Sequence, residues 1–453
     1  MTEEGESAGA VTPDSTSTTG DSAGVPGRVR HPLTRRAFFG AVGGVAVGGG
    51  LVGAGAEAVL HRSGTVAGDV AQHSIESFYG THQGGITTSP QRYSYLAAID
   101  VTTDDRKDVA EFLRNWTSIA SRLTRGQTAG RMTDAPGGKL PDSGEALGLG
   151  AARLTVNFGF GPTLFEKNGH DRFGLAGQRP YELVELPSFP GDRLVASRCG
   201  GDLTIHACAD DPQVAFHAVR QLARSAHGVA SLRWAQSGFN ETAATSGTPR
   251  NLMGFKDGTV NPRSPSELAR FVWVGDEGPR WMTGGTYLVV RRIRMELEHW
   301  DAQSLVTQER TIGRHKTSGA PLGKSSEFDA FDLAAKDEHD RFVIPLDAHI
   351  RLASPATNWG AMMLRRSYAY DDGVTATSSG WPSGDDASPA FDAGLLFACY
   401  QRNPLLGFIG IYRGLANHDA LREFTTHTGS AVVALPPAAA GPGEWVGQRL
   451  FEL

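Results

Sequence analysis

Tyr93-Ser94-Tyr95-Leu96-Ala97-Ala98-Ile99-Asp100-Val101 is the stretch from which the fold can be read outward. It opens on aromatics and closes on apolar and β-branched residues, the composition of a strand. Thr102 or Thr103 is placed to cap a helix. Val109, Phe112, Leu113, Trp116, Ile119, Ala120 and Leu123 then recur at the spacing of one helix face. A Gly- and Pro-rich loop over 126–150 leads to a second strand, Arg153 to Phe160, alternating at period two.

The same order follows at once. Leu203 to Ala209 reads as a strand. Asp211-Pro212 is an N-cap with proline at the first helical position. Val214, Phe216, Val219 and Leu222 lie in the helix, and Val229 to Gln236 returns as a strand. Further along, Thr286 to Arg294 is a strand, Trp300 to Ile312 a helix, and Gly394 to Gln401 a strand. Pro404 to Leu415 is partly helical, and Ser430 to Leu435 is a last strand. The order predicts an α+β protein of two similar halves, each an antiparallel sheet with helices packed on one face. The expected divisions are residues 57–90 as a linker and entry loop, 91–245 as the first half and 246–453 as the second.

Residues 1–56 read as something other than fold. Residues 2–27 are Ser, Thr, Gly, Asp and Glu with few apolar side chains. Leu33-Thr34-Arg35-Arg36-Ala37-Phe38-Phe39 then precedes an uncharged run from Gly40 to Ala56. Paired arginines, an aromatic and a weakly apolar Gly/Ala segment make a twin-arginine export signal, with Ala54-Gly55-Ala56 as its cleavage site. The alternative is an uncleaved membrane tether, for which the run is weakly apolar. Export in the folded state suits a protein that takes up a cofactor before it leaves the cytoplasm.

Charged residues are 20% of the 453, with a net charge of −6, which excludes the basic footprint of a nucleic-acid binder. Cys199, Cys208 and Cys399 form no CxxC or CxxCH, so zinc, iron–sulfur and covalent haem have no motif. Cys199 and Cys208 are candidates for pairing after export. Cys399, in an apolar run, reads as a buried thiol.

Two stretches carry chemistry. Gly254-Phe255-Lys256-Asp257-Gly258-Thr259 sets one carboxylate between glycines that let a turn aim it. Its plainer reading is an Asp-Gly turn between strands. Downstream, Asp347-Ala348-His349-Ile350-Arg351 holds a histidine, and Met362-Met363-Leu364-Arg365-Arg366 ends in an arginine pair. A neutral imidazole can ligate haem iron. A carboxylate can shuttle a proton between peroxide oxygens, and a guanidinium can stabilise charge as the O–O bond breaks.

These motifs, together with Asn261-Pro262, Gln308 to Lys316, Leu396 to Arg402 and Thr426 to Ala431, resemble the dye-decolorising (DyP-type) haem peroxidases, in particular the exported deferrochelatase/peroxidase branch. The resemblance runs from about residue 80 to the C-terminus. It implies duplicated ferredoxin-like halves of the dimeric α+β barrel kind, with one non-covalent haem b in the second half. It implies Asp257 as distal carboxylate, Arg365 as distal arginine and His349 as iron ligand, with Arg366 the lesser candidate. It also implies haem contacts from Gly258, Thr259, Val260, Arg314, Ser354, Pro355 and Ala356. Where some members carry Asn two places after the distal arginine, this chain has Ser367. The implied activity is reduction of hydrogen peroxide through a ferryl intermediate, with oxidation of dye-like or phenolic donors. Trp359, Tyr368 and Trp381 are candidate electron relays. A haem-handling role in iron acquisition is the alternative, and an exported oxidase or an iron-uptake protein is the implied partner.

Overall fold

The computed structural model describes residues 74–132, 140–240, 248–375 and 390–452. The readings of residues 1–56 and 57–73 and of Trp381 lie outside them. Nine strands occur among the described residues: β1 Tyr93–Val101, β2 Thr155–Phe160, β3 Leu203–Ala209, β4 Ala230–Phe239, β5 Thr286–Met295, β6 Leu364–Arg365, β7 Tyr368–Thr375, β8 Ala390–Gln401 and β9 Thr425–Leu435.

The order β5-β9-β2-β3-β1-β4-β7-β8, with β8 pairing back to β5, closes an antiparallel barrel, and β6 adds to the edge of β8. The barrel is two four-stranded sheets joined at narrow seams. Phe160↔Ala434 joins β2 to β9, and Phe239↔Ala369 joins β4 to β7. Within each sheet the first and last strands of the half lie side by side, the ferredoxin-like order that the repeat of elements predicts.

Alternation along the strands feeds two cores. Leu96, Leu288, Val290, Leu396, Ala398, Ala431 and Val433 pack together on one face. Ala97, Ile99, Val101, Val289, Cys399, Val432 and Ala434 face the other way, among the side chains of the helices. With both faces covered, β3 is buried at every position. The helices α1 (Arg106–Leu123) and α2 (Pro212–Ser225) supply the cover. Trp116 on α1 is wholly buried, and its indole N–H donates to Leu222 O at 2.9 Å. Its truncation to Ala is worth about 3–5 kcal/mol.

The cap of α1 is Asp105, whose carboxylate accepts from Lys107 N, rather than Thr102 or Thr103. The N–H groups of those threonines still donate to Val229 O, so the chain stays strand-like until it passes them. The helix read from Trp300 to Ile312 is two helices, Leu297–Asp301 and α3 (Leu305–Ile312), because Ser304 caps a fresh start. Strand β9 begins at Thr425 rather than Ser430, as its polar first half pairs with Ile293, Arg294 and Met295. Cys199, Cys208 and Cys399 are all free thiols, and Cys399 is fully buried as expected. Among the described residues, no helix is long and apolar enough to cross a membrane.

Candidate active site

A cavity of about 220 Å³ lies on the helix-side face of β5, β8 and β9. Its apolar walls include Ile293, Met295, Leu395, Phe397, Phe408 and Ile411. Set into those walls are Asp257, Arg314, His349 and Arg365.

His349 opens the short helix α4 (His349–Leu352). What brings that helix close is Gly313, at the C-terminal end of α3 with φ +91°. A Cβ there would stand 2.6 Å from Ile350 Cγ1 and 3.3 Å from Ala348 Cβ, so glycine is required twice over. The imidazole Nδ1 lies 2.6 Å from Asp419 Oδ2. The other Asp419 oxygen accepts from Leu421 N at 2.8 Å, so one buried carboxylate caps a turn and holds the ring. Burial works against charge on His349, but the adjacent Asp419 carboxylate and its hydrogen bond win and raise the imidazole pKa. With Nδ1 committed, Nε2 is the free ring nitrogen.

Among the described residues, one other histidine, His427, lines the cavity, and both its nitrogens are engaged. Arg291 Nε–H donates to its Nδ1 at 2.8 Å, and Tyr412 Oη lies 2.9 Å from its Nε2. Burial first and the Arg291 charge second hold this imidazole far below its ordinary pKa, hence neutral. It is no rival to His349 as a ligand.

The carboxylate and guanidinium meet as expected. Asp257 sits between Gly254 and Gly258, at φ +83° and +103°, conformations that favour glycine. Arg365 Nη1–H donates to Asp257 Oδ1 at 3.2 Å, and Nη2–H to Val260 O at 3.2 Å. Arg366 points elsewhere, because neighbours on a strand face opposite ways. Its buried guanidinium donates to Thr88 O and Gln91 Oε1.

Gly258, Thr259, Val260, Ser354 and Pro355 also line the cavity. Ala356 does not; it is exposed, and its N–H is spent on Ser354 Oγ at 3.0 Å. Arg314 is buried, which lowers its pKa, and its Nη1 donates to Gly319 O and Glu327 O at 2.7 and 3.0 Å. Ser367 is outside the lining, and its buried hydroxyl makes no hydrogen bond among the described residues. Of the relay candidates, Tyr368 is 1% exposed, whereas Trp359 is fully exposed at φ +50°, an uncommon conformation for a bulky residue.

Three groups near the site were given no role by the sequence reading. Asp419 lies far along the chain from His349, and its one local signal is its position between two helices. Glu327 accepts from Thr259 Oγ1 at 3.2 Å and Thr248 N at 3.3 Å, and pairs with Lys256 Nζ at 3.3 Å. It thereby grips both sides of Asp257. Asn261 belongs to a stretch read for its aspartate.

One free imidazole nitrogen, a carboxylate–guanidinium pair and apolar walls with a cation at Arg314 suit an iron porphyrin with its propionates. The fold and this donor set define a haem peroxidase. Residues 83–240 match the family model "Dyp-type peroxidase, N-terminal" and residues 248–440 match "Dyp-type peroxidase, C-terminal". The chain belongs to the DyP-type peroxidase family, binds haem and is a haem-dependent peroxidase. It is 36% identical over 438 residues to the deferrochelatase of Escherichia coli (strain UTI89 / UPEC), covering 94% of this chain and 98% of that one. It resembles ferric DtpA from Streptomyces lividans at 41% identity and TM-score 0.76, covering 85% of this chain and 99% of that one. The DyP-type peroxidase from Cellulomonas bogoriensis is similar at 41% identity and TM-score 0.73, covering 84% and 99%.

Proposed function

We propose that this chain is an exported haem b peroxidase that reduces hydrogen peroxide and oxidises bulky organic donors. In this reading His349 would hold the haem iron through Nε2, and Asp257 and Arg365 carry the proton and charge work. The observation that supports it is the shared cavity of His349, held by Asp419, and the Arg365–Asp257 pair. Haem supplies the redox centre when bound. Arg314 would pair with a propionate, and Gly258, Thr259, Val260, Ser354 and Pro355 would pack about the ring, whereas Ala356 stands outside the cavity.

The residues divide the work as follows. Asp419 accepts a hydrogen bond from Nδ1–H of His349 and so orients Nε2 and strengthens it as an electron-pair donor. Asp257 takes a proton from one peroxide oxygen and returns it to the other. The Arg365 guanidinium, always charged, fixes the direction of Asp257 and donates hydrogen bonds to the charge that develops as the oxygens part. The apolar walls exclude water from the exchange.

The export reading assigns residues 1–56 to a cleaved twin-arginine signal, 57–90 to a linker, 91–245 to the first half and 246–453 to the haem-holding half. Electrons from donors too large for the cavity enter at Trp359, which stands fully exposed on the loop joining α4 to Arg365. A second reading, removal of iron from haem in iron acquisition, is favoured by the name of the Escherichia coli relative. The test is incubation of the chain after Ala56 with haem, peroxide and an anthraquinone dye. Dye loss that saturates in both peroxide and dye supports the peroxidase. Release of iron-free porphyrin without dye turnover would replace it with the second reading.

A further inference from the structure

Asp257 and Arg365 belong to separate segments, yet a peroxide-directed pair has to keep a fixed separation. Besides the ion pair itself, a second contact joins the segments through the backbone of Arg365. Asn261 Oδ1 accepts the backbone N–H of Arg365 at 3.0 Å, and Asn261 Nδ2–H donates to the backbone C=O of the same residue at 2.9 Å. This is how a neighbouring strand would pair. It matters because β6 is two residues long and pairs with β8 on one edge, Leu364↔Tyr400 and Arg365↔Cys399. The peptide groups of Arg365 on the other edge are those that Asn261 takes up.

The turn from Asp257 to Asn261 therefore grips Arg365 at both ends. Asn261 holds its backbone, while Val260 O and Asp257 Oδ1 receive its guanidinium. A long Arg side chain has many rotamers, and fixing its backbone is what lets two weakly directed contacts at its head define one position.

We infer that Asn261 is a positioning residue for peroxide cleavage, acting through Arg365 by serving as the missing strand partner of β6. The inference rests on the reading that Arg365 acts on peroxide, and its test separates the two. The haem-loaded chain is mixed with peroxide in parent, Asn261→Ala, Asn261→Leu, Arg365→Leu and Asn261→Ala/Arg365→Leu forms. Leu keeps most of the volume and loses both hydrogen bonds. The expected result is a fall of about tenfold to a hundredfold in the second-order constant for peroxide in either Asn261 variant. Haem content, the ferric spectrum and kcat/KM for the donor stay at parent values. In the Arg365→Leu background, Asn261→Ala changes the peroxide constant by less than about twofold, since the residue it positions is gone.

Parent-like peroxide constants in both Asn261 variants would overturn the inference, as would an equal loss with and without Arg365. Loss of haem or of fold in both variants would also overturn it, because the barrel and His349 are not meant to depend on Asn261. A parent-like Arg365→Leu would sink the underlying reading instead, whatever Asn261 does.

Discussion

Replacing Asp419 by Asn tests how His349 is held. Asp419 serves two donors, Leu421 N–H at 2.8 Å and His349 Nδ1 at 2.6 Å, one with each oxygen. Asn keeps one oxygen for the backbone and turns an NH2 group toward the imidazole N–H, so the bond to His349 is lost entirely. A buried hydrogen bond to a charged acceptor is worth about 1.5–3 kcal/mol. At about 1.4 kcal/mol per factor of ten, haem should leave the variant about ten to a hundred times faster. The assay is transfer of haem to an excess of a haem-scavenging globin, followed at the Soret band, with His349→Ala as the limit. A second signature has the opposite sign. Iron needs the neutral imidazole, and the net effect of Asp419 raises the His349 pKa against the push of burial. Haem capture by the haem-free chain therefore turns on with rising pH at a midpoint above the ordinary histidine value, and Asp419→Asn moves that midpoint down. Haem loss within about twofold of the parent, with an unmoved midpoint, would refute the reasoning.

Other substitutions separate nearby roles. Arg366→Leu strands the buried Gln91 Oε1 and Thr88 O, so it should cost about 2–4 kcal/mol of stability yet leave the peroxide constant near that of the parent; thermal unfolding beside stopped-flow mixing decides. Gly313→Ala forces an L side chain to φ +91° with its Cβ 2.6 Å from Ile350 Cγ1. It should cost about 2–4 kcal/mol and loosen haem, read by unfolding and by haem transfer. Burial opposes the charge of Glu327, but hydrogen bonds from Thr248 and Lys256 prevail and lower its pKa. Its contribution is full above the unfolded glutamate value near pH ~4.3 and is lost as pH falls through the lower folded value. The Tm gap between parent and Glu327→Gln should therefore be constant near neutrality and close below about pH 4; a pH-independent gap would exclude a charge effect.

The fold was legible because its strands and helices are locally consistent. Leu203 to Ala209 and Val109 to Leu123 carry their burial in composition and period. The misplaced boundaries fall where tertiary pairing overrides propensity. Thr426 and His427 look like loop residues until β5 pairs with them, and Thr102 and Thr103 are held by Val229 instead of starting a helix. The meeting of Asp257, His349 and Arg365 at one cavity was legible because each sits in a short motif. The supporting groups were not. Asp419, Glu327 and Asn261 act through contacts with residues remote in sequence, and nothing in their own neighbourhoods distinguishes them from ordinary caps and turns. Ala356 marks the opposite error, since a motif carried along the chain says nothing of which side of a turn faces the cavity.

The most direct test of the account is rapid mixing of the haem-loaded chain with one equivalent of hydrogen peroxide, in the parent and in the Asp257→Ala/Arg365→Leu double variant, with His349→Ala as the ligand control. The account predicts a fast Soret shift in the parent and a rate lower by at least about a hundredfold in the double variant at equal haem content. It also predicts loss of the ferric Soret band in His349→Ala. A double variant that reacts at the parent rate would contradict the roles given to Asp257 and Arg365, and an unchanged spectrum in His349→Ala would contradict His349 as the ligand.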